Sequence, residues 1–453
     1  MPAKSLLDLI GNTPMLELTH FDTGRCRLFV KLENQNPAGS IKDRIGLSMI
    51  VAAERDGRLK PGGTIIEATA GNTGLGLALV ASQKGYKLIL VVPDKMAREK
   101  IFHLRAMGAE VRLTRSDVGK GHPEYYQDMA EQVAMETGAF FVNQFGNPAN
   151  PDAHERTTGP EIWEQMEHDV DAVVCGVGSG GTLTGLSRFF ARVSPKTEMV
   201  LADPVGSVLC DYVKTGKFGE AGSWVIEGIG EDFIPPVADL SRVKAAYSIS
   251  DRESLETARE LLHKEGILGG SSSGTLVMGA LRYCREQKTP KRVVSFICDT
   301  GNKYLSKMFN DYWMADQGFL QRDSTGDLRD IIGRRADERA VVTIRPEDRL
   351  MTAYARMKLY DISQIPVLDG DKVIGLIDEW DLLSAVREDP ANFREPVRSA
   401  MTQRLETVDL KTPLTSLMDT FNKGYVAIVV DQGKFWGLIT RIDVLNYLRH
   451  KAP

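Results

Sequence analysis

From about residue 60 to residue 300, short apolar runs alternate with helix-like segments, and this alternation limits the folds open to the chain more than any other feature. "TIIEA", "KLILVVP", "AEVRLT", "DAVVCGV", "EMVLAD" and "RVVSFI" have strand length and β-branched content. Between them lie helical patterns such as "REKIFHLRAMG", "PEYYQDMAEQVAMETG" and "RESLETARELLHKEG". Strand alternating with helix implies right-handed crossovers and mainly parallel sheets covered on both faces. Ligands in such α/β folds bind beyond the carboxyl ends of the strands, so the loops that follow strands should carry the chemistry.

Three glycine-rich loops stand in that position. "EATAGNTGLG" follows a strand ending at Ala68, and a helix is expected to begin near Thr73. "GVGSGGT", Gly176 to Thr182, follows "DAVVC" and opens a helix containing Leu183 and Leu186. "GGSSSGT", Gly269 to Thr275, starts the helix that continues through "LVMGALRYC". Backbone N–H groups at such turns, together with the helix dipole, form a phosphate cradle. Gly176, Gly178 and Gly181 also satisfy the G-x-G-x-x-G dinucleotide fingerprint, and Asp203 ends the next strand. That alternative explains neither the other two loops nor Lys42, and Thr182 ends its loop with a hydroxyl suited to a single terminal phosphate.

Lys42 stands in "PAGSIKDR", just after Ser40, which reads as an N-cap before the run Ile41, Ile45 and Leu47. A cation at the positive end of a helix dipole is electrostatically misplaced. It either points into water or has a task.

After "DYWMADQGFL" the composition changes, and the polar segment from Gln321 to Arg339 reads as a linker. Beyond it the chain repeats itself. "QIPVLDGDKVIGLIDEWDLLSAV" lines up with "VAIVVDQGKFWGLITRIDVLNYL", Gly375 with Gly437 and Asp381 with Asp443, which implies two half-domains burying their sheets against each other. The expected division is 1–316, a linker 317–339, and repeats over 340–390 and 391–453.

Composition excludes several classes. A net charge of −5, with no long basic run, argues against nucleic acid. No apolar stretch reaches membrane-spanning length and the first residues lack signal-peptide architecture, so a cytoplasmic protein is expected. The five cysteines are scattered and never paired as CxxC, which offers neither a disulfide framework nor a metal site.

Together, "SIKDR", "GNTG", "GVGSGGT" and the serine loop resemble the fold-type II pyridoxal-phosphate enzymes, which replace a group on the β-carbon of amino acids. "GNTPML", "NPANPDAH" and "TTGPEIW" extend the resemblance from Leu6 to about Asp316. "EGIGEDFIP" and the repeated tail, which resembles a tandem CBS-domain (Bateman) module, are similar to the cystathionine β-synthase family. The resemblance implies open, mainly parallel sheets wrapped by helices, followed by that module. It implies a carbon–oxygen lyase of transsulfuration that condenses L-serine with L-homocysteine to cystathionine and water, with hydrogen sulfide production as a side reaction. The alternatives are a cysteine synthase using O-acetylserine and sulfide, or a nucleotide-sensing scaffold without catalysis. The haem-binding extension of the animal enzymes has no counterpart before "LLDLIGNTPM", so no haem is expected.

By this resemblance Lys42 is the Schiff-base lysine and the base for the α-proton, with a pKa lowered by its setting. Gly178, Ser179, Gly180, Gly181 and Thr182 hold the cofactor phosphate, Asn72 bonds the ring 3′-oxygen, and Ser272 faces the pyridine nitrogen. A serine there, unlike a carboxylate, leaves the ring a weaker electron sink and favours loss of a β-substituent over transamination. Thr69, Gly71, Asn72, Thr73 and Gln144 hold the substrate carboxylate, and Gly228 lies in the substrate loop; Gln144 equally reads as a buried amide serving loop backbone. Ala70 replaces a usual serine. Glu155 and Glu231 replace tyrosines near the second-substrate pocket, either to meet the homocysteine ammonium or as solvated lid residues. In the tail, Gly437, Thr440 and Asp443 match an adenosine-site signature, with S-adenosylmethionine the first candidate. Asp378 breaks that signature in the first repeat, beside Asp381, and the tail otherwise reads as a dimerisation surface. A homodimer or larger assembly is implied.

Overall fold

The computed structural model describes residues 2–69, 71–94, 96, 98–119, 121–320 and 324–451. Its chain divides into two units, 1–309 and 310–453.

The first unit holds two sheets. β1 (Met15–Leu18), β2 (Arg27–Leu32), β7 (Ala172–Cys175), β8 (Glu198–Pro204), β9 (Val243–Ile249) and β10 (Arg292–Ile297) make one, in the order β1-β2-β10-β7-β8-β9. Only β1 runs antiparallel. β3 (Thr64–Ala68), β4 (Lys87–Pro93), β5 (Glu110–Thr114) and β6 (Phe140–Phe141) make the other, all parallel, in the order β5-β4-β3-β6. The alternation of strand and helix thus gives mainly parallel sheets, as the sequence pattern requires.

Burial on both faces explains the unbroken apolar runs. In β3 the side chains alternate, and Ile65 and Ile66 enter different cores. Ile65 packs with Ile45, Met49, Leu75 and Leu79 of the helices Lys42–Arg55 and Asn72–Lys84. Ile66 packs with Ala130, Val133 and Ala134 of the helix Tyr126–Thr137. Where the helices Lys42–Arg55 and Asn72–Lys84 cross, two glycines meet: a Cβ on Gly76 would lie 2.7 Å from the Lys42 carbonyl oxygen, and one on Gly46 would lie 2.8 Å from the Gly76 carbonyl carbon. Their absence lets the backbones touch, bringing the start of one helix beside the other.

The second unit contains the repeat. β11 (Gln364–Asp369) and β12 (Lys372–Asp378) form one hairpin; β14 (Ala427–Asp431) and β15 (Lys434–Ile439) form another, with β13 (Thr407–Val408) alongside. Both hairpins carry a register shift at the same place, Val367/Leu368 and Val429/Val430. Each repeat has its own core, and Val373 of one packs with Ile428 and Phe435 of the other. The sheets therefore bury each other as the repeat implied.

The linker reading needs correction. Leu328, Ile331 and Ile332 lie in the core of the second repeat, and the Leu328 and Ala336 N–H groups donate to Leu410 and Trp436 carbonyls. Three apolar residues in a charged stretch are too few to show periodicity. The helix Asp311–Asp316, expected in the first unit, belongs to the second, where Arg449 donates to the Asp316 carbonyl. Among the described residues no helix is long and apolar enough to cross a membrane, and no group of three or more His, Cys, Asp or Glu side chains forms a metal site.

Candidate active site

The end of β10 is the hub. Residues 298–301 leave the strand and bond to three loops that are far apart in sequence. The Ile41 N–H donates to the Cys298 carbonyl at 2.9 Å and the Thr300 N–H to the Gly39 carbonyl at 3.1 Å, which fixes the loop before Lys42. The Gly270 N–H donates to the Asp299 carbonyl at 3.0 Å and Gly301 to Leu268 at 2.9 Å, fixing the serine loop. Asn72 Nδ2 donates to Asp299 Oδ2 at 2.8 Å, which fixes the loop after β3.

Lys42 opens its helix, and Ser40 Oγ accepts the Lys42 N–H at 3.2 Å, the contact of an N-cap, although the helix boundary falls at Ile41. The Lys42 side chain is half-buried. Burial lowers its pKa, opposed by Cys298, Asp299 and Glu231 nearby. The helix start is anchored by Arg44, buried, which donates to both Glu33 oxygens at 2.8 Å and both Glu161 oxygens at 2.7 Å. The cation that looked misplaced is held in a partly dry pocket.

Asn72 begins the next helix, one residue before the expected Thr73. Its Oδ1 accepts from Lys303 Nζ at 2.8 Å. Thr73 donates to Gln144 Oε1 at 2.7 Å, and Gln144 Nε2 reaches the Ala68 carbonyl at 3.5 Å. Gln144 is thus tied to the end of β3 through backbone and to the loop after it through the Thr73 side chain. Thr69 is buried and its hydroxyl accepts the Gly71 N–H at 3.3 Å. Ala70 lies outside the described residues. Under this loop Glu67 is fully buried, and burial pushes its carboxyl up to about 8.

The loop after β7 closes onto the helix Gly181–Val193. It is packed so tightly that a Cβ on Gly178 would sit 2.5 Å from the Gly228 carbonyl oxygen, and one on Gly181 would sit 1.8 Å from Asn150 Oδ1. Asn150 Nδ2 donates to Ser179 Oγ at 2.9 Å, and Thr182 Oγ1 meets His154 Nε2 at 3.2 Å. His154 is held well below its usual pKa, chiefly by burial and then by Arg44 and Lys42, so it stays neutral. Ser179, Thr182 and the N–H groups opening the helix are neutral or positive partners, and the loop from Gly178 to Thr182 has no carboxylate. Asp203, the residue a dinucleotide site would need, is fully buried and accepts the Cys210 N–H at 2.9 Å. It serves the following helix instead.

Ser272 lies in the first turn of the helix Ser271–Glu286, buried, with its hydroxyl against the Cys298 thiol, which burial pushes up to about 12. Ser273 Oγ accepts the Cys298 N–H at 2.9 Å. Gly228 sits in an exposed left-handed turn with φ of 90°, next to Glu227. Glu227 is paired with Lys100 and Lys307, and its N–H donates to Ser271 Oγ at 3.1 Å. Asp299, Lys303, Tyr304, Glu227 and Lys100 were missed in the sequence. The rule that ligands gather beyond strand ends pointed to "CDTGNKY" after β10 as it did to the glycine loops.

Glu155 and Glu231 are not brought together. Glu155 pairs with Arg192 and lies 3.9 Å from Arg188. Glu231 is half-buried in electrostatic reach of Lys42; burial, then Asp232 and Asp203, raises its carboxyl to about 8. Glu231 is thus only partly open to solvent. In the tail, Asp443 Oδ2 accepts both the N–H (2.7 Å) and hydroxyl of Thr440. Asp378 and Asp381 cap the corresponding helix reciprocally, at 2.8 and 3.0 Å. Both signature aspartates are therefore engaged as helix caps.

The sequence pattern of pyridoxal-phosphate dependent enzymes matches residues 6–299, and that of the CBS domain matches 329–388 and 397–450. The cystathionine beta-synthase of Dictyostelium discoideum is 35% identical over 98% of this chain and 92% of its own length. That of Saccharomyces cerevisiae is 31% identical over 98% of this chain and 97% of its own. Among solved structures, the O-acetylserine dependent cystathionine beta-synthase from Helicobacter pylori is 36% identical with a TM-score of 0.63, over 68% of this chain and 98% of its own.

Proposed function

The chain belongs to the cystathionine β-synthase family of pyridoxal-phosphate-dependent enzymes, and we propose that it condenses L-serine with L-homocysteine to L-cystathionine and water. The residues fit the cofactor. The loop from Gly178 to Thr182 offers hydroxyls and the N–H groups of a helix start, a donor set suited to phosphate. Lys42 offers a half-buried amine with a lowered pKa, suited to covalent attachment. Asn72 would face the ring oxygen and Ser272 the ring nitrogen.

Pyridoxal phosphate, when bound, supplies an electron sink conjugated to the α-carbon of the amino acid. Thr69, Gly71, Thr73 and Gln144 would bind and orient the substrate carboxylate. Lys42 Nζ, its pKa lowered by burial, takes the proton from the serine α-carbon; such transfer is worth about 10²–10⁴-fold. The same Nζ then hands a proton to the serine hydroxyl oxygen, which leaves as water. The homocysteine sulfur bonds to the β-carbon, and its thiol proton replaces the one lost from the α-carbon. Ser272 would offer the ring nitrogen a neutral hydroxyl instead of a carboxylate, which would disfavour transamination.

The observation that carries this reading is the single strand end that ties the Lys42, Asn72 and Ser272 loops together. O-Acetylserine is the second candidate for the first substrate, favoured by the solved Helicobacter pylori relative. The test is an assay of purified protein with serine or O-acetylserine against homocysteine or sulfide. Cystathionine from serine supports the reading; turnover with sulfide alone as acceptor overturns it in favour of a cysteine synthase. A homodimer or larger assembly, and an adenosyl ligand at Thr440 and Asp443, complete the proposal.

A further inference from the structure

We infer that Asp299 and Lys303 are a positioning pair that fixes which edge of the Asn72 amide is offered to the cofactor; this rests on the reading that Asn72 faces the ring 3′-oxygen. An asparagine amide can present either its N–H₂ or its oxygen, and its orientation is set by its partners. Here the partners leave one choice. Lys303 Nζ donates to Asn72 Oδ1 at 2.8 Å, and an ammonium has no acceptor to offer instead. Asn72 Nδ2 donates to Asp299 Oδ2 at 2.8 Å, and a carboxylate has no donor. A flipped amide would set N–H₂ against the ammonium and oxygen against the carboxylate. The second Nδ2 hydrogen is then the only donor the amide has left.

The pair is itself held rigidly. Asp299 is fully buried, and Tyr304 OH donates to the same Oδ2 at 2.8 Å. Lys303 is buried and also donates to the Ala38 and Gly39 carbonyls at 3.3 Å each, in the loop that leads into Lys42. Lys303 therefore joins the segment that presents Lys42 to the amide that Asn72 presents. Both contacts to Asn72 are charge-assisted, so each is stronger than a bond between neutral groups.

The test uses the full chain, stripped of cofactor and titrated with pyridoxal 5′-phosphate or with its 3-deoxy analogue, which lacks the ring oxygen. Wild type should bind the natural cofactor about tenfold more tightly than the analogue. Lys303→Met should bring that ratio close to one with little change toward the analogue, and Lys303→Arg should restore most of it. The pH midpoint of the bound cofactor's visible absorbance should move in Lys303→Met and return in Lys303→Arg, which a loss of packing alone would not produce. If Lys303→Met lacks a cooperative melt, Asp299→Asn carries the test and should reduce the ratio likewise. A tenfold ratio that survives in these variants but disappears in Asn72→Ala overturns the positioning pair and leaves the Asn72 reading standing. A wild-type ratio of one overturns both.

Discussion

Gly76→Ala tests whether the contact between two helices sets the position of Lys42. The new Cβ would lie 2.7 Å from the Lys42 carbonyl oxygen, 3.0 Å from its carbonyl carbon and 3.2 Å from Asp43 Cα. All three are backbone atoms, so no side chain can swing away; the helix Lys42–Arg55 has to move. Overpacking of this kind costs about 1–3 kcal/mol, while alanine gains about 1 kcal/mol of helix propensity over glycine. Contact with three backbone atoms puts the cost in the upper part of that range, about 2–3 kcal/mol, so the net expectation is a loss of about 1–2 kcal/mol, seen as a melting temperature lower by roughly 2–8 °C. The displaced carbonyl belongs to Lys42, so cofactor retention should fall with stability. Gly46→Ala meets the same crossing from the other helix, 2.8 Å from the Gly76 carbonyl carbon, and the double substitution should cost less than the two single ones added. The assay is thermal unfolding of each variant with and without added pyridoxal phosphate. An unchanged or raised melting temperature in Gly76→Ala, with cofactor retained, would refute the reasoning, because propensity would then have outweighed a contact the helices can relax.

Lys42→Ala should abolish the adduct that borohydride traps between protein and cofactor; equal labelling of the variant would remove Lys42 from its proposed role. Asp203 is fully buried, burial raises its carboxyl to about 6, and its Oδ1 has no hydrogen-bond partner among the described residues. A carboxyl raised in the folded state binds its proton more tightly there, so stability is lost as pH climbs from about 4 through 6. Asp203→Asn should therefore melt higher than wild type at pH 7.5 by more than it does at pH 4, and an identical difference at both would contradict the assignment. Asp443→Ala should weaken any S-adenosylmethionine binding by about one to two decades, measured calorimetrically beside AMP, since charge-assisted bonds of about 1.5–3 kcal/mol would be lost. No heat from wild type with either ligand would leave the tail without a sensor.

The parallel sheets were legible because buried strands write unbroken β-branched runs and their loops write glycine. "TIIEA" and "RVVSFI" announce β3 and β10, and the tail hairpins announce themselves twice over. β2 and β9 are hidden: "RLFVKL" carries charge, because Lys31 is fully buried against Glu161 at 2.8 Å, and "VKAAYSI" lies half-exposed at a sheet edge. The three site loops were visible one at a time. Only the family resemblance joins them in the sequence, since their union depends on hydrogen bonds to residues 298–301, and the bonds from there to the Gly39 and Asn72 loops span more than two hundred residues and leave no local pattern.

The position of β10 also has a consequence in time. It lies between β2 and β7, with register from Arg27 to Leu32 on one side and Ala172 to Val173 on the other. A ribosome that has made the first 290 residues has produced Lys42, Asn72, the loop from Gly178 to Thr182 and the serine loop, but not the strand that pairs with both β2 and β7, and unpaired strand edges are prone to mispairing. The bonds that tie these loops together do not exist until residues 298–301 have been made. A chain interrupted just before Arg292 should therefore carry nearly every residue proposed to bind the cofactor and yet retain none of it.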